Sequence, residues 1–237
     1  MRGLLFLGVA AICVGSTGCM SSEGSHDPES ARGDTSSVAR PAVVSAEAWG
    51  STPQPLGDDR RHVPRYVTIH HAGVTWADGD AAKKVKALQT WGQNEKGWPD
   101  LPYHFLIAPN GTVFEGRPMA YEPETNTSYD VHGHLGVQLY GNFEEQRVST
   151  AQMTALVNLT AWLLDKHGFT IDAIGGHRDR LGADTSCPGR DLARYLDDGS
   201  FAAWVEATRR GEEPAIELGP PLPDGPTEMI PYPGARQ

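Results

Sequence analysis

His177 and Cys187 stand ten positions apart, with Gly175-Gly176 before the histidine and Pro188-Gly189 directly after the cysteine. The glycines and the proline turn the chain sharply at both ends of this stretch, which restricts where the two side chains can point. Upstream, the run Tyr66-Val67-Thr68-Ile69-His70-His71 reads as a strand that ends on two histidines. Successive strand residues face opposite sides, so one histidine of the pair joins the site; we take His70 and leave His71 as a flanking polar residue. Two imidazoles and a thiolate suit zinc, and three protein ligands leave a fourth position open, the catalytic rather than the structural arrangement. Any fold for this chain has to bring the end of that strand against the His177–Cys187 stretch.

The other two cysteines lie near the start. One positive charge, Arg2, precedes a short apolar run through Val14, too short to span a bilayer and read as a secretory signal. Ser16-Thr17-Gly18-Cys19 resembles a lipoprotein cleavage box, with Ser16 where Leu or Val is usual. Cys19 is then expected to become the lipidated first residue, an anchor to the membrane surface. With Cys13 removed and Cys19 acylated, Cys187 has no disulfide partner in an exported chain, and a metal accounts for it. Residues 20–40 are rich in Ser, Gly, Asp, Glu and Arg and read as a flexible tether. The formal charge of −10 argues against a nucleic-acid partner, whose phosphates require a basic face.

The body of the chain alternates strand and helix signals. After the strand ending at His71, Ala81, Val85 and Leu88 mark an amphipathic helix started by Asp78 or Asp80 and ended at Gly92 and Gly97. Tyr103–Ala108 and Thr112–Arg117 flank Asn110-Gly111 as a hairpin. Ser128–His134 is a polar loop, and Gly136–Phe143 is a strand with Val137 and Leu139 on one face and Gln138 and Tyr140 on the other. Ser149 with Gln152 forms a capping box for the clearest helix, closed by Gly168. Ile171–Ile174 leads a short strand into His177, and residues 191–210 form one or two last helices. This order predicts a single α/β domain, a central mixed β-sheet flanked by helices. Boundaries are expected at 1–18 for the signal, 19–40 for the tether, 41–210 for the domain and 211–237 for a proline-rich acidic tail, extended or disordered and without a catalytic role.

Several segments occur together in register: Ala46-Glu47-Ala48-Trp49-Gly50, Val67–His71, Gly97-Trp98-Pro99-Asp100-Leu101-Pro102-Tyr103-His104-Phe105, Gly111–Arg117, Gly133-His134, Gly141-Asn142-Phe143, and Gly176-His177 through Cys187-Pro188-Gly189. Over about residues 40–200 the chain resembles the type 2 N-acetylmuramoyl-L-alanine amidase and peptidoglycan recognition protein family. The resemblance implies one zinc ion on His70, His177 and Cys187. It implies Tyr103 as a catalytic hydroxyl, with Thr185 as second candidate, for hydrolysis of the amide between the muramic acid lactyl group and L-alanine of peptidoglycan. His71, His104, His132 and Gln138 are the expected substrate contacts, and His71, His104 and His132 are candidates for moving a proton.

Two positions depart from the family pattern. Some bacterial members have a glutamate, proposed as the base, where this chain has Gln138, and an amide cannot take up a proton at ordinary pH. The loop before that strand is also shorter than usual. A second reading therefore stays open, a non-catalytic peptidoglycan-binding protein; such relatives typically lose the third ligand, whereas Cys187 is retained here. The signal and cleavage box lead us to expect an exported, monomeric lipoprotein on the periplasmic side of an outer membrane.

Overall fold

The structure, a computed structural model, describes residues 36–232. The signal run, Cys19 and most of the tether lie outside the described residues. Six strands form one sheet: β1 (Val43–Val44), β2 (Tyr66–His71), β3 (Phe105–Ile107), β4 (Val113–Glu115), β5 (His134–Leu139) and β6 (Ile174–Gly176). Their order across the sheet is β1-β4-β3-β5-β2-β6. Only the β3–β4 hairpin, turning at Asn110-Gly111, is antiparallel; the other pairings are parallel. The mixed α/β sheet expected from the alternation of signals is thus the one found.

β2 and β5 pair in the middle of the sheet, with Val67 opposite Leu135, Ile69 opposite Val137 and His70 opposite Gln138. The period-two alternation gives each strand two different faces. Val67 and Ile69 with Leu135, Val137 and Leu139 are fully buried in the core. Tyr66, Thr68 and His70, with His134, Gly136 and Gln138, form the other, polar face.

Four α-helices complete the domain: α1 (Ala81–Trp91), α2 (Thr150–His167), α3 (Arg190–Asp197) and α4 (Ser200–Arg209). Asp80 caps α1 by accepting from the Lys83 amide, and a π-helical turn, Gly92–Lys96, extends it to Gly97. The Ser149–Gln152 capping box of α2 is present in full, and Gly168 ends the helix in the left-handed conformation. The α2 stripe of Met153, Leu156, Val157, Leu163 and Leu164 joins the core, and Trp162 meets Phe105 edge-on at 6.1 Å between ring centroids. Each of these large apolar side chains contributes roughly 2 kcal/mol by leaving water.

The carboxyl-terminal segment, expected to be extended or disordered, is extended and packed. The Arg147 amide donates to the Glu228 carbonyl at 2.7 Å, and the Ile230 amide donates to the Arg147 carbonyl at 3.2 Å. Arg190 and Arg194 donate to the carbonyls of Asp224 and Pro220. Ile230 is fully buried against Gly141 and Phe143. Proline supplies no amide, so backbone and arginine donors of the domain satisfy the carbonyls of this strap instead. At the other end, Ser36 and Val38 reach Asp165 of α2, so contacts with the domain extend to residues before 41.

Candidate functional site

The parallel strands β2, β5 and β6 all finish at one edge of the sheet, where open α/β sheets bind their ligands. β2 carries His70 as its next-to-last residue, and β6 delivers His177 on the first residue after Gly176. The chain then returns to place Cys187 beside both. Gly176 makes this return possible: a Cβ there would come within 2.7 Å of Pro188 Cδ. Donor atoms of His70, His177 and Cys187, all buried, lie within 4.8 Å of one another. His70 Nδ1 is 3.7 Å from Cys187 Sγ, and the His70 and His177 rings are 4.6 Å apart.

The electrostatics of this cluster suit a cation. Burial, assisted by His177, holds the His70 imidazole well below its ordinary value, and burial brings His177 down to about 4. Both rings are therefore neutral, each with a lone pair to offer. Burial pushes the Cys187 thiol up to about 12, against a smaller lowering by the His71 amide. A metal ion is the partner that would take the thiolate form from such a thiol. Contacts outside the cluster orient its members. The His71 amide donates to Cys187 Sγ at 3.4 Å, and the Cys187 amide donates to Thr185 Oγ1 at 3.1 Å. Thr127 Oγ1 lies 2.8 Å from His177 Nε2.

A cleft of about 390 Å³ opens beside the cluster, with Tyr103 and Gln138 in its lining. Its walls are largely apolar: Trp76, Trp91, Trp98, Leu88 and Tyr140, with Lys84 as the single charged lining residue. Tyr103 reaches over β5 because Gly136 has no side chain; a Cβ there would meet Tyr103 Cδ1 at 3.2 Å. Its ring is 5.0 Å from that of His70. Burial raises the Tyr103 phenol far above its ordinary value, so it stays protonated and can donate a hydrogen bond.

Residues 59–190 match the family model described as N-acetylmuramoyl-L-alanine amidase. The chain belongs to the N-acetylmuramoyl-L-alanine amidase family. Relatives include peptidoglycan-recognition protein SC2 of Drosophila simulans, 28% identical over 153 residues that cover 63% of this chain and 82% of that protein. The endolysin of Enterobacteria phage T3 is 32% identical over 118 residues, 48% of this chain and 74% of the endolysin. Among solved structures, Drosophila peptidoglycan recognition protein SD superposes with a TM-score of 0.58 at 25% identity, covering 67% of this chain and 94% of that one. The amidase LysC of Clostridium intestinale shares the fold at a TM-score of 0.56 and 24% identity, covering 69% and 98%.

Not every residue expected to contact substrate in this amidase-family domain lies where substrate can reach it. His104 is fully buried; its Nε2 donates to the Tyr121 carbonyl and its Nδ1 accepts from the Gly136 amide, both at 2.9 Å. Both nitrogens are committed to backbone, which leaves neither for a substrate or a proton. His132 is exposed and paired with Glu122 at 2.6 Å, outside the cleft lining. His71 occupies the opposite face of β2 from His70, and its Nδ1 accepts from the Phe143 amide at 3.2 Å. It supports the cluster through its backbone rather than its ring. Gln138 is buried at the cleft, and Thr185 positions the Cys187 backbone.

Two residues escaped the sequence reading, both around the segment taken as a polar loop. Thr127 touches His177, and Tyr129 is buried with its ring 4.8 Å from that of His177. Among the described residues the buried Tyr129 hydroxyl has no hydrogen-bond partner, which fits a site built to hold a further polar group. A large aromatic inside an otherwise polar loop was the available signal for Tyr129.

Proposed function

We propose that this chain is an N-acetylmuramoyl-L-alanine amidase that uses one zinc ion, held by His70, His177 and Cys187, to hydrolyse the amide between muramic acid and L-alanine in peptidoglycan. The observation that carries the reading is the buried His-His-Cys cluster at the carboxyl ends of parallel strands, with Tyr103 between it and the neighbouring cleft. Membership in a family with an endolysin, an amidase and recognition proteins among the relatives supports the substrate class. Zinc in such a site supplies Lewis-acid polarisation of the scissile carbonyl and acidifies the attacking water.

The protein's own groups perform the remaining work. Tyr103, held over β5, keeps its proton and donates a hydrogen bond to the oxygen that gains negative charge as water adds to the carbonyl carbon. The C–N bond then breaks as the protons of the added water pass to the leaving nitrogen, giving the lactyl carboxylate on the sugar and a free, protonated amino group on L-alanine. Gln138 can orient water or the substrate amide from the cleft floor, but it cannot accept the proton. The tryptophans and Leu88 exclude bulk water and offer flat apolar surfaces to sugar and peptide. We further place the protein, as a monomer anchored through lipid on Cys19, at the periplasmic side of an outer membrane. The signal run and cleavage box support that placement, and labelling with a radioactive fatty acid, lost in Cys19→Ala, tests it.

The test of the activity is release of L-alanine amino groups from purified peptidoglycan, before and after chelation and after zinc is returned. Release that stops with chelator and resumes with zinc is expected. Tight peptidoglycan binding and one bound zinc without release would instead favour a recognition protein, and Gln138 is the residue that would then explain the loss.

A further inference from the structure

A histidine can present a metal with either ring nitrogen, and what the other nitrogen touches decides which. His177 Nε2 is 2.8 Å from Thr127 Oγ1, so Nδ1 is the nitrogen left for the His70–Cys187 side. Thr127 is itself held. Its Oγ1 is 3.0 Å from Thr125 Oγ1, and its backbone amide donates to the same Thr125 oxygen at 3.1 Å. The Thr125 oxygen accepts from the Thr127 amide and keeps a second lone pair that the Thr127 hydroxyl can use. A threonine hydroxyl that donates to Thr125 has its lone pairs free, and it then accepts from His177 Nε2–H.

We propose that Thr127 is a positioning residue that locks His177 in the Nε2–H tautomer and so presents Nδ1 to the metal. The reverse polarity, Thr127 donating to Nε2, would place a proton on Nδ1 and block the lone pair the site needs. The anchor comes from a segment distant in sequence from both ends of the His177–Cys187 stretch, so the loop ahead of β5 and the metal site are built as one unit. Ser128 reinforces this by donating to the Gly182 carbonyl at 3.2 Å, between the two candidate ligands. Partners of this kind, standing behind a ligand, typically change metal affinity or activity by about 10–100-fold.

The inference rests on the zinc reading above, and the experiment separates the two. Zinc affinity of the full chain is measured by competition with a chromophoric chelator for wild type, Thr127→Val and Thr127→Ser. Thr127→Val keeps shape and removes the hydroxyl; Thr127→Ser keeps the hydroxyl. The expected result is a loss of about 10–100-fold in Thr127→Val, with Thr127→Ser within a few-fold of wild type. Nitrogen-15 spectra of zinc-loaded wild type should show the His177 proton on Nε2, slow to exchange, whether or not Thr127→Val folds well. A zinc-loaded wild type with its His177 proton on Nδ1, or Thr127→Val binding zinc as tightly as wild type, overturns the role of Thr127 alone. Wild type that binds no zinc overturns both readings.

Discussion

Cys187 and Tyr103 answer different questions, and replacing each should move a different quantity. Serine at position 187 keeps the size of the side chain but gives up its proton far less readily than a thiol. Cys187→Ser should therefore lower zinc affinity by more than about 100-fold and lose activity in step. Wild-type zinc content and rate in that variant would remove Cys187 from the site. Tyr103→Phe deletes one hydroxyl from a ring already packed beside His70. Zinc content should hold while kcat falls roughly 100- to 1,000-fold, the usual loss for one oxyanion donor. An unchanged kcat would end the catalytic assignment of Tyr103. The contrast follows from position: Cys187 is in the donor cluster, and Tyr103 faces the cleft beside it.

At the scale of elements, the carboxyl-terminal strap is the unexpected one. Its amino acids give no helical or strand periodicity, and proline removes amides along its length. It is held by a pair of backbone hydrogen bonds at Arg147, by two arginines of α3, by buried Ile230 and Pro226, and by Ile216 and Leu218 packed against the core. Ile230 sits where a Cβ on Gly141 would come within 2.7 Å of its Cδ1, so little space separates the strap from the turn after β5. Ile230→Ala should cost about 2–4 kcal/mol of unfolding free energy, read from urea denaturation. A change below about 0.5 kcal/mol, the range of ordinary surface substitutions, would show that the strap is not part of the folded unit.

For the whole molecule, buried histidines couple stability to acidity. Burial brings His104 to about 3 and His134 to about 4, and lowers His62. In the unfolded chain each titrates near 6.5. Above that value both states are neutral and the contribution to stability is fully present. As pH falls below 6.5 the unfolded chain takes up protons that the folded chain refuses, so stability is lost progressively toward the folded values. Each such histidine contributes a slope of up to about 1.4 kcal/mol per pH unit. Urea midpoints measured with chelator present, from pH 7.5 down to 5, should fall steadily. A flat profile would mean that these imidazoles stay accessible to protons in the native state.

Much of this protein was legible in its sequence because the relevant signals are local. Strand alternation at Tyr66–His71 separated His70 from His71, the Ser149–Gln152 box placed the start of α2, and Asn110-Gly111 marked the hairpin. The strand–helix order implied a mixed sheet, and motif resemblance grouped His70, His177 and Cys187 before their proximity was seen. What only tertiary structure decided is which polar side chains are already spent. His104 looked as available as His70 in sequence, yet packing against Tyr121 and Gly136 consumes both its nitrogens. Thr127 and Tyr129 looked like loop residues, yet the fold sets one on His177 Nε2 and the other against its ring. The strap was unreadable for the same reason: its hydrogen bonds and the surroundings of its buried side chains belong to partners far away in the chain. Secondary structure follows from neighbours along the chain, whereas hydrogen-bond commitment and burial follow from neighbours in space.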